Sequence, residues 1–460
     1  ATALAKLVQA VFPRVRCTTL NLRAVVKDYW VLRKNTKGTR ENGPLGRESF
    51  ALYMERLCTR TSPFVYDGFV CIDAGMAHHL LPERDVKGKQ DTDYLHGMIT
   101  EIFGKPVLFH FDPLNTYGFG YDPEHRAVYS FMSGFAVKKL HNRLLGRPGL
   151  ERPTKFIVPQ SASDLRACAK LLSRAALIAA DIETSGGYIS VIGFAAHVPG
   201  LDYTPIVVIP LMTNMDDTGR YWADDALTGY AMDVIGEILA NPAPKCFHNG
   251  SYDLTYIFRY GWTVENFIFD TMHMLHALWP TMPKALYNGA SMFLSNYRYW
   301  KDDGKDVDDA GKVKWQVPNT PEKTYNYWLY NGLDCANTLE LCLALLRYWF
   351  GEDNGEFPEW SAGFGYVWRN YVREFSLQYG PAFYMSMHGM RVSDERQFAL
   401  KRKLMGEAIR AREDLCELLD DQDFNPNSTA QVQHVLYDVL NITPLPRKGR
   451  STDKRIVRAF

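Results

Sequence analysis

From residue 155 to about 350 the chain alternates short apolar runs with longer segments of helical character, and this alternation most restricts its fold. Leu177 to Glu183, Ser190 to Ala196 and Ile206 to Ile209 are brief, apolar and partly β-branched, as neighbouring strands are. The segment Asp224 to Ala240 reads as a helix stopped by Asn241-Pro242. Lys245 to Phe247 then reads as a strand, Ser251 to Tyr260 as a helix and Phe267 to Phe269 as a strand, with a helix following to Trp279-Pro280. Strands interleaved with helices in this way give an α/β fold, a sheet covered by helices. Lys301 to Lys314 is charged and contains glycine, so a loop is expected there. Thr320-Pro321-Glu322 supplies a cap hydroxyl, a proline for the first helical position and an acid for the first turn. It predicts a helix running through Asp334 toward Leu346.

At roughly 100 to 200 residues per domain, 460 residues suggest two to four domains. Residues 1–150 mix helical stretches with apolar runs at Pro63 to Cys71 and Pro106 to Phe111 and break at Arg147-Pro148-Gly149, an α+β domain whose role no motif indicates. His78, His79, Asp91 and Asp93 are ordinary surface or core residues on this reading. Residues 151–350 form the α/β region. Residues 365–460 look helical, with Phe398, Leu404, Ile409, Leu415 and Leu419 at near-helical spacing within Arg396 to Asp420. Ser428 and Gln431 fit a capping box that opens a second helix to Leu440.

With 46% hydrophobic and 23% charged residues the chain is not of the disordered class. Its 52 Lys and Arg balance 52 Asp and Glu, so only local charge can point to an anionic partner. Residues 1–60 and Arg447 to Arg458 are basic; the ordinary reading of such runs is a solvated face, the other a phosphate-contacting surface. The eight cysteines include no Cys-x-x-Cys pair and read as reduced thiols rather than zinc ligands. No run approaches the ~18 apolar residues of a membrane span. A cytoplasmic protein is expected, although an acid-free, Arg-containing stretch over the first 27 residues keeps organellar targeting open.

Three acidic elements carry the chemistry. Asp181 and Glu183 close an apolar strand, and side chains two apart on a strand point to the same side, so both carboxylates project together. Two acids so placed repel each other and raise each other's pKa unless a hard cation such as Mg²⁺ or Mn²⁺ joins them. In His248-Asn249-Gly250-Ser251-Tyr252-Asp253, the Asn and Asp are spaced to share one side of a loop entering a helix. In Tyr330-Asn331-Gly332-Leu333-Asp334, a phenol and a carboxylate lie one helical turn apart on one face. Each element has a plainer reading, Asp253 as a helix-start acid and Tyr330 as a half-buried aromatic. Their order and context argue against coincidence. His273, His276 and Cys335 read as packing groups or as groups that support the site residues.

Asp-x-Glu on a strand, Asn-x-x-x-Asp entering a helix and Tyr-x-x-x-Asp within a helix resemble the three motifs of the 3′-5′ exonucleases that bind metal with four acids assisted by a tyrosine. Phe269-Asp270-Thr271-Met272 is similar to the Asp-Thr after their second motif. Met387-His388-Gly389-Met390-Arg391-Val392-Ser393, the helix after it, Phe424-Asn425-Pro426-Asn427-Ser428-Thr429-Ala430-Gln431-Val432 and Lys448-Gly449-Arg450-Ser451-Thr452-Asp453 are similar to the thumb of family A DNA polymerases. Gly389 is kept at the thumb's first turn, while Met387 and His388 replace its usual acid and Arg. The resemblance covers residues 155–455 and implies a ribonuclease H-like, DnaQ-type domain followed by a helical thumb-like segment.

The resemblance further implies proofreading in DNA replication. Asp181, Glu183, Asp253 and Asp334 would bind two Mg²⁺ or Mn²⁺ ions, with Asp181 bridging. Tyr330 would orient the attacking water, and Asn249, counted with the substrate-binding residues, would position the strand or the second-motif loop. The DNA partners would be a single-stranded 3′ end and a primer-template duplex, with Lys448, Arg450, Ser451 and Thr452 on phosphates and binding that weakens with salt. No equivalent of the palm and fingers motifs occurs before Phe460, which implies a fragment or one piece of a split polymerase, partnered by the remaining palm and fingers or by a processivity factor. Two other readings fit the same residues: a stand-alone 3′-5′ exonuclease acting on RNA or DNA, and a non-catalytic DNA-binding scaffold.

Overall fold

A computed structural model describes residues 67–72, 81, 94–111, 123–147, 149, 151–213, 219–301, 305–307, 313–315, 320–350, 365–444, 450 and 452. His78, His79, Asp91, Asp93, Lys448, Ser451 and the basic residues 1–60 lie outside the described residues. Contacts divide the chain into two units, Ala1–Tyr384 and Met385–Phe460.

In the first unit, β1 (Phe69–Cys71), β2 (Ile99–Ile102) and β3 (Lys105–Phe109) form a small sheet in the order β1-β3-β2, and α1 (Pro123–Leu144) packs Ala136 and Leu140 on Leu108. The main sheet joins β4 (Thr154–Ile157), β5 (Leu177–Ser185), β6 (Tyr188–His197), β7 (Thr204–Pro210), β8 (Lys245–Phe247) and β9 (Phe267–Asp270) in the order β4-β7-β6-β5-β8-β9. β6 runs antiparallel to β5 and β7, while β5, β8 and β9 are parallel. A mixed sheet of this order flanked by helices is the α/β arrangement expected from the alternation of strands and helices.

Strand alternation divides the core. Leu177 and Ala179 face one side with Val191, Ala195, Ile206 and Val208; Ile178, Ala180 and Ile182 face the other with Ile192, Phe194, Val207 and Ile209. The second side is covered by α2 (Ala162–Leu172), capped by Ser161 Oγ on the Asp164 N–H at 3.2 Å, and α3 (Asp225–Leu239), capped by Asp224 on the Leu227 N–H at 2.7 Å. After α4 (Ser251–Arg259), α5 (Thr271–Leu278) and α6 (Leu286–Phe293), the long α7 (Pro321–Phe350) crosses the first side. Thr320 Oγ1 caps α7 by accepting from the Lys323 N–H at 3.2 Å, as the sequence predicts.

Close approach of α7 depends on two glycines. A Cβ at Gly332 would lie 2.6 Å from Phe156 Cε2 and 2.8 Å from Ile206 Cγ2, and one at Gly193 would lie 2.4 Å from Asn331 Oδ1. Next comes α8 (Gly365–Leu377), clipped to the sheet edge because the buried Tyr371 hydroxyl donates to Ile268 O at 2.7 Å and accepts from the Asp270 N–H at 2.9 Å. Thus the first helix of the region read as thumb-like packs on the α/β sheet. The expected loop at 301–314 instead contains a short antiparallel pair, β10 (Lys305–Val307) with β11 (Val313–Trp315). Three-residue strands are too short to show a period of two among charged residues.

In the second unit, Gly389 adopts φ 65°, a left-handed conformation that glycine takes without penalty. After α9 (Phe383–His388), Ser393 Oγ caps α10 (Asp394–Leu419) on the Arg396 N–H at 3.3 Å. Ser428 caps α11 (Thr429–His434), but the box is not reciprocal. The Gln431 side chain accepts from the Asn425 N–H at 2.6 Å, because the Ser428 N–H already donates to Asn425 O. Beyond His434 the helix widens to a π turn, Val435–Val439, so it closes near the predicted Leu440. Among the described residues no helix is long and apolar enough to cross a membrane.

Candidate metal centre

The alternation that buries Leu177 and Ala179 under α7 puts Asp181 and Glu183 on that same side, farther along β5. From α7 comes Asp334, and one carboxylate oxygen from each of Asp181, Glu183 and Asp334 lies within 4.8 Å of the others. Asp253, in the first turn of α4, is buried, and its Oδ1 accepts the N–H of Ile182, the residue between the two strand acids, at 3.0 Å. Three of the four acids named from the sequence therefore meet at the end of β5, and the fourth, Asp253, is bonded to the backbone between two of them. Asn331 adds a hold that the motif reading missed, donating from Nδ2 to Asp181 Oδ2 at 3.0 Å and to Asp181 O at 3.1 Å.

The second motif is shaped by Asp270. Asn249 takes φ 64°, a left-handed value that Asn tolerates better than most residues. Its N–H and that of Gly250 donate to the Asp270 carboxylate at 3.2 and 2.9 Å, as do those of Met272 and His273 at 2.9 and 3.2 Å. The Tyr379 hydroxyl donates to the same group. Asn249 is exposed, so what the fold uses is its backbone, turning the chain from β8 into α4 and setting Asp253 inward.

Tyr330 and Asp334, one turn apart on α7, meet a cation the sequence reading did not single out. Lys301 Nζ donates to the Tyr330 hydroxyl at 2.9 Å and to the two Asp334 oxygens at 3.3 and 3.1 Å, and the Trp300 indole N–H donates to Asp334 Oδ1 at 2.5 Å. No local pattern marks these partners, which lie over thirty residues before Asp334 and reach it only by folding. Thr184 Oγ1 and the hydroxyl of the exposed Tyr252 are 2.7 Å apart beside Glu183.

Crowded carboxylates in a poorly solvated place hold their protons. Burial, then Asp334, Asp253 and Glu183, pushes the Asp181 carboxyl well above the usual carboxylate range. Burial and Asp334 push Glu183 up to about 8. Burial pushes Asp253 up to about 7, against the pull of backbone N–H groups. Burial, then Asp334, lifts the Tyr330 phenol far above its ordinary value, so it remains a hydroxyl at neutral pH. Three hard oxygen donors within reach of one point form a set that fits Mg²⁺ or Mn²⁺.

Of the predicted phosphate contacts in the second unit, the exposed Arg450 pairs with Asp438 at 2.5 Å and lies 5.3 Å over the Tyr437 ring, and Thr452 is half-buried. Cys335 is a fully buried packing group on α7, as expected.

No family model matches the chain, and no curated protein is similar to it. Similar solved structures include the POL domain of Pol1 from M. smegmatis in complex with DNA primer-template and dNTP, at 16% identity and TM-score 0.39, covering 66% of this chain and 45% of that one. Another is Trypanosoma brucei RNase D in complex with RNA U12, at 13% and 0.33, covering 49% and 72%. A third is Escherichia coli RNase D, an exoribonuclease involved in structured RNA processing, at 14% and 0.30, covering 52% of each chain. The chain thus spans less than half of the first of these and about half of the third. At such identities and scores the likeness carries no activity from those proteins to this chain.

Proposed function

We propose that this chain is a divalent-metal-dependent exonuclease that removes nucleotides from nucleic-acid 3′ ends. The observation that carries the reading is the convergence of Asp181, Glu183 and Asp334 within 4.8 Å, with Asp253 bonded to the strand between the first two. Asp181, Glu183 and Asp334 would hold one ion, and Asp181 with Asp253 a second. Bound there, such ions would make a hydroxide from water and stabilise the leaving 3′ oxygen. Asn331 keeps the Asp181 carboxylate aimed. Tyr330 presents a hydroxyl that orients the attacking water. The exposed Tyr252 ring offers a face on which a terminal base stacks without regard to sequence.

The finer reading is proofreading of DNA beside a family A polymerase. It is supported by the thumb-like motifs from Met387 to Asp453 and by a long, capped α10 with a glycine-requiring turn before it. Lys448, Arg450, Ser451 and Thr452 would then contact duplex phosphates.

A 5′-labelled single strand, as DNA and as RNA, incubated with and without Mg²⁺ tests the reading. Stepwise release from the 3′ end only with metal is expected. Asp181→Ala with Glu183→Ala should slow it by a factor on the order of 10³, the scale on which loss of a group stabilising transition-state charge is felt. Release that survives the double substitution, or none from the native chain, sinks the proposal.

A further inference from the structure

Lys301 places a positive charge inside the acid cluster. Whichever Asp334 oxygen faces Asp181 and Glu183, it is already bonded to the Lys301 ammonium, since Nζ reaches both at 3.1 and 3.3 Å. The Asp334 side chain is 8% exposed and that of Lys301 22%, so the pair is largely shielded from water and the lysine keeps an open flank. The ammonium also lies 5.0 Å from the Tyr330 ring centroid and 5.6 Å from that of Trp300, and it donates to the Tyr330 hydroxyl.

We propose that Lys301 is the resident counter-ion of this carboxylate site, and that a divalent ion enters by taking Asp334 from it. The proposal rests on the metal-site reading above. Two cations cannot share one buried carboxylate oxygen without strong repulsion, because in so shielded a place their charges are poorly screened. The four-carbon stem of lysine is flexible and its head is a point charge, so it can withdraw through the exposed flank while a rigid fork could not. Lys301 therefore sets the metal affinity. Without metal it keeps the acids from driving each other apart, and with metal it weighs against occupancy.

The test is Mn²⁺ titration of the full chain by calorimetry without nucleic acid. Lys301→Met, and Lys301→Gln in case the first does not fold, should bind Mn²⁺ about tenfold or more tightly than the native chain, about 1.4 kcal/mol. Their metal-free melting temperatures should be lower and rise more on adding Mn²⁺. Lys301→Arg, which keeps the charge, should bind no tighter than the native chain. Folded uncharged variants with unchanged or weaker affinity overturn the proposal while leaving the metal site standing. Native binding no better than that of Asp181→Ala overturns both.

Discussion

At the scale of single residues, the site's acids make stability depend on pH in a direction that can be worked out. Glu183 ionises near 4.5 in an unfolded chain and near 8 in place. Between those values the folded state keeps a proton that the unfolded state has lost, so this group's contribution to stability falls as pH rises. Buried His96 and His110, both held below their usual values by desolvation, act in the opposite sense below about pH 6.5, so the acid effect must be read by difference. Glu183→Gln should therefore raise the melting temperature of chelator-treated protein at pH 8 and leave it nearly unchanged at pH 4.5, measured by differential scanning calorimetry. A variant less stable than the native chain at pH 8 would contradict the assignment. Asp181 and Glu183 were legible in the sequence because two acids two apart on an apolar strand have no common structural use. Lys301, Trp300 and Asn331 were not, since each acquires its role from a partner distant in the chain.

At the scale of elements, strands and caps were readable where one local rule governs them. Lys245–Phe247 is a strand as predicted, and Thr320 and Ser428 each cap the helix that follows. The alignment of α7 on the sheet was not readable, because it depends on what lies opposite each small residue. Gly332→Ala would force the new methyl group into Phe156 and Ile206, at an overpacking cost of about 1–3 kcal/mol, and would lift Tyr330 and Asp334 away from β5. Thermal denaturation should show the loss, and the proposed nuclease activity should fall by more than the folded fraction does. A variant with native melting temperature and rate would show that the helix yields freely.

For the whole molecule, the question is how far the N-terminal region stands apart. Its Leu95, Val107, Phe109 and Met132 belong to one apolar cluster with residues of α6, α7 and α8. The Tyr297 hydroxyl donates to Tyr94 O at 2.7 Å, and Lys139 Nζ donates to Ser291 O at 2.7 Å. A chain beginning at residue 151 should therefore expose part of that cluster and melt at least several degrees lower than the full chain, or aggregate, as size-exclusion chromatography and a thermal scan would register. Unchanged melting would mean that the shared cluster contributes little. Such sharing leaves no mark in the sequence, where the Arg147-Pro148-Gly149 break looks like a boundary; packing across a break follows no local pattern.

The strand that carries the paired acids answers to two unrelated demands, one on each side. Ile178, Ala180 and Ile182 need only fill space, so drift among aliphatic residues there alters sturdiness and little else. One position over, the proposed metal-binding role leaves Asp181 and Glu183 almost no exchange that keeps activity. Latitude and rigidity thus alternate residue by residue along β5, and a mutational scan across it should come out striped.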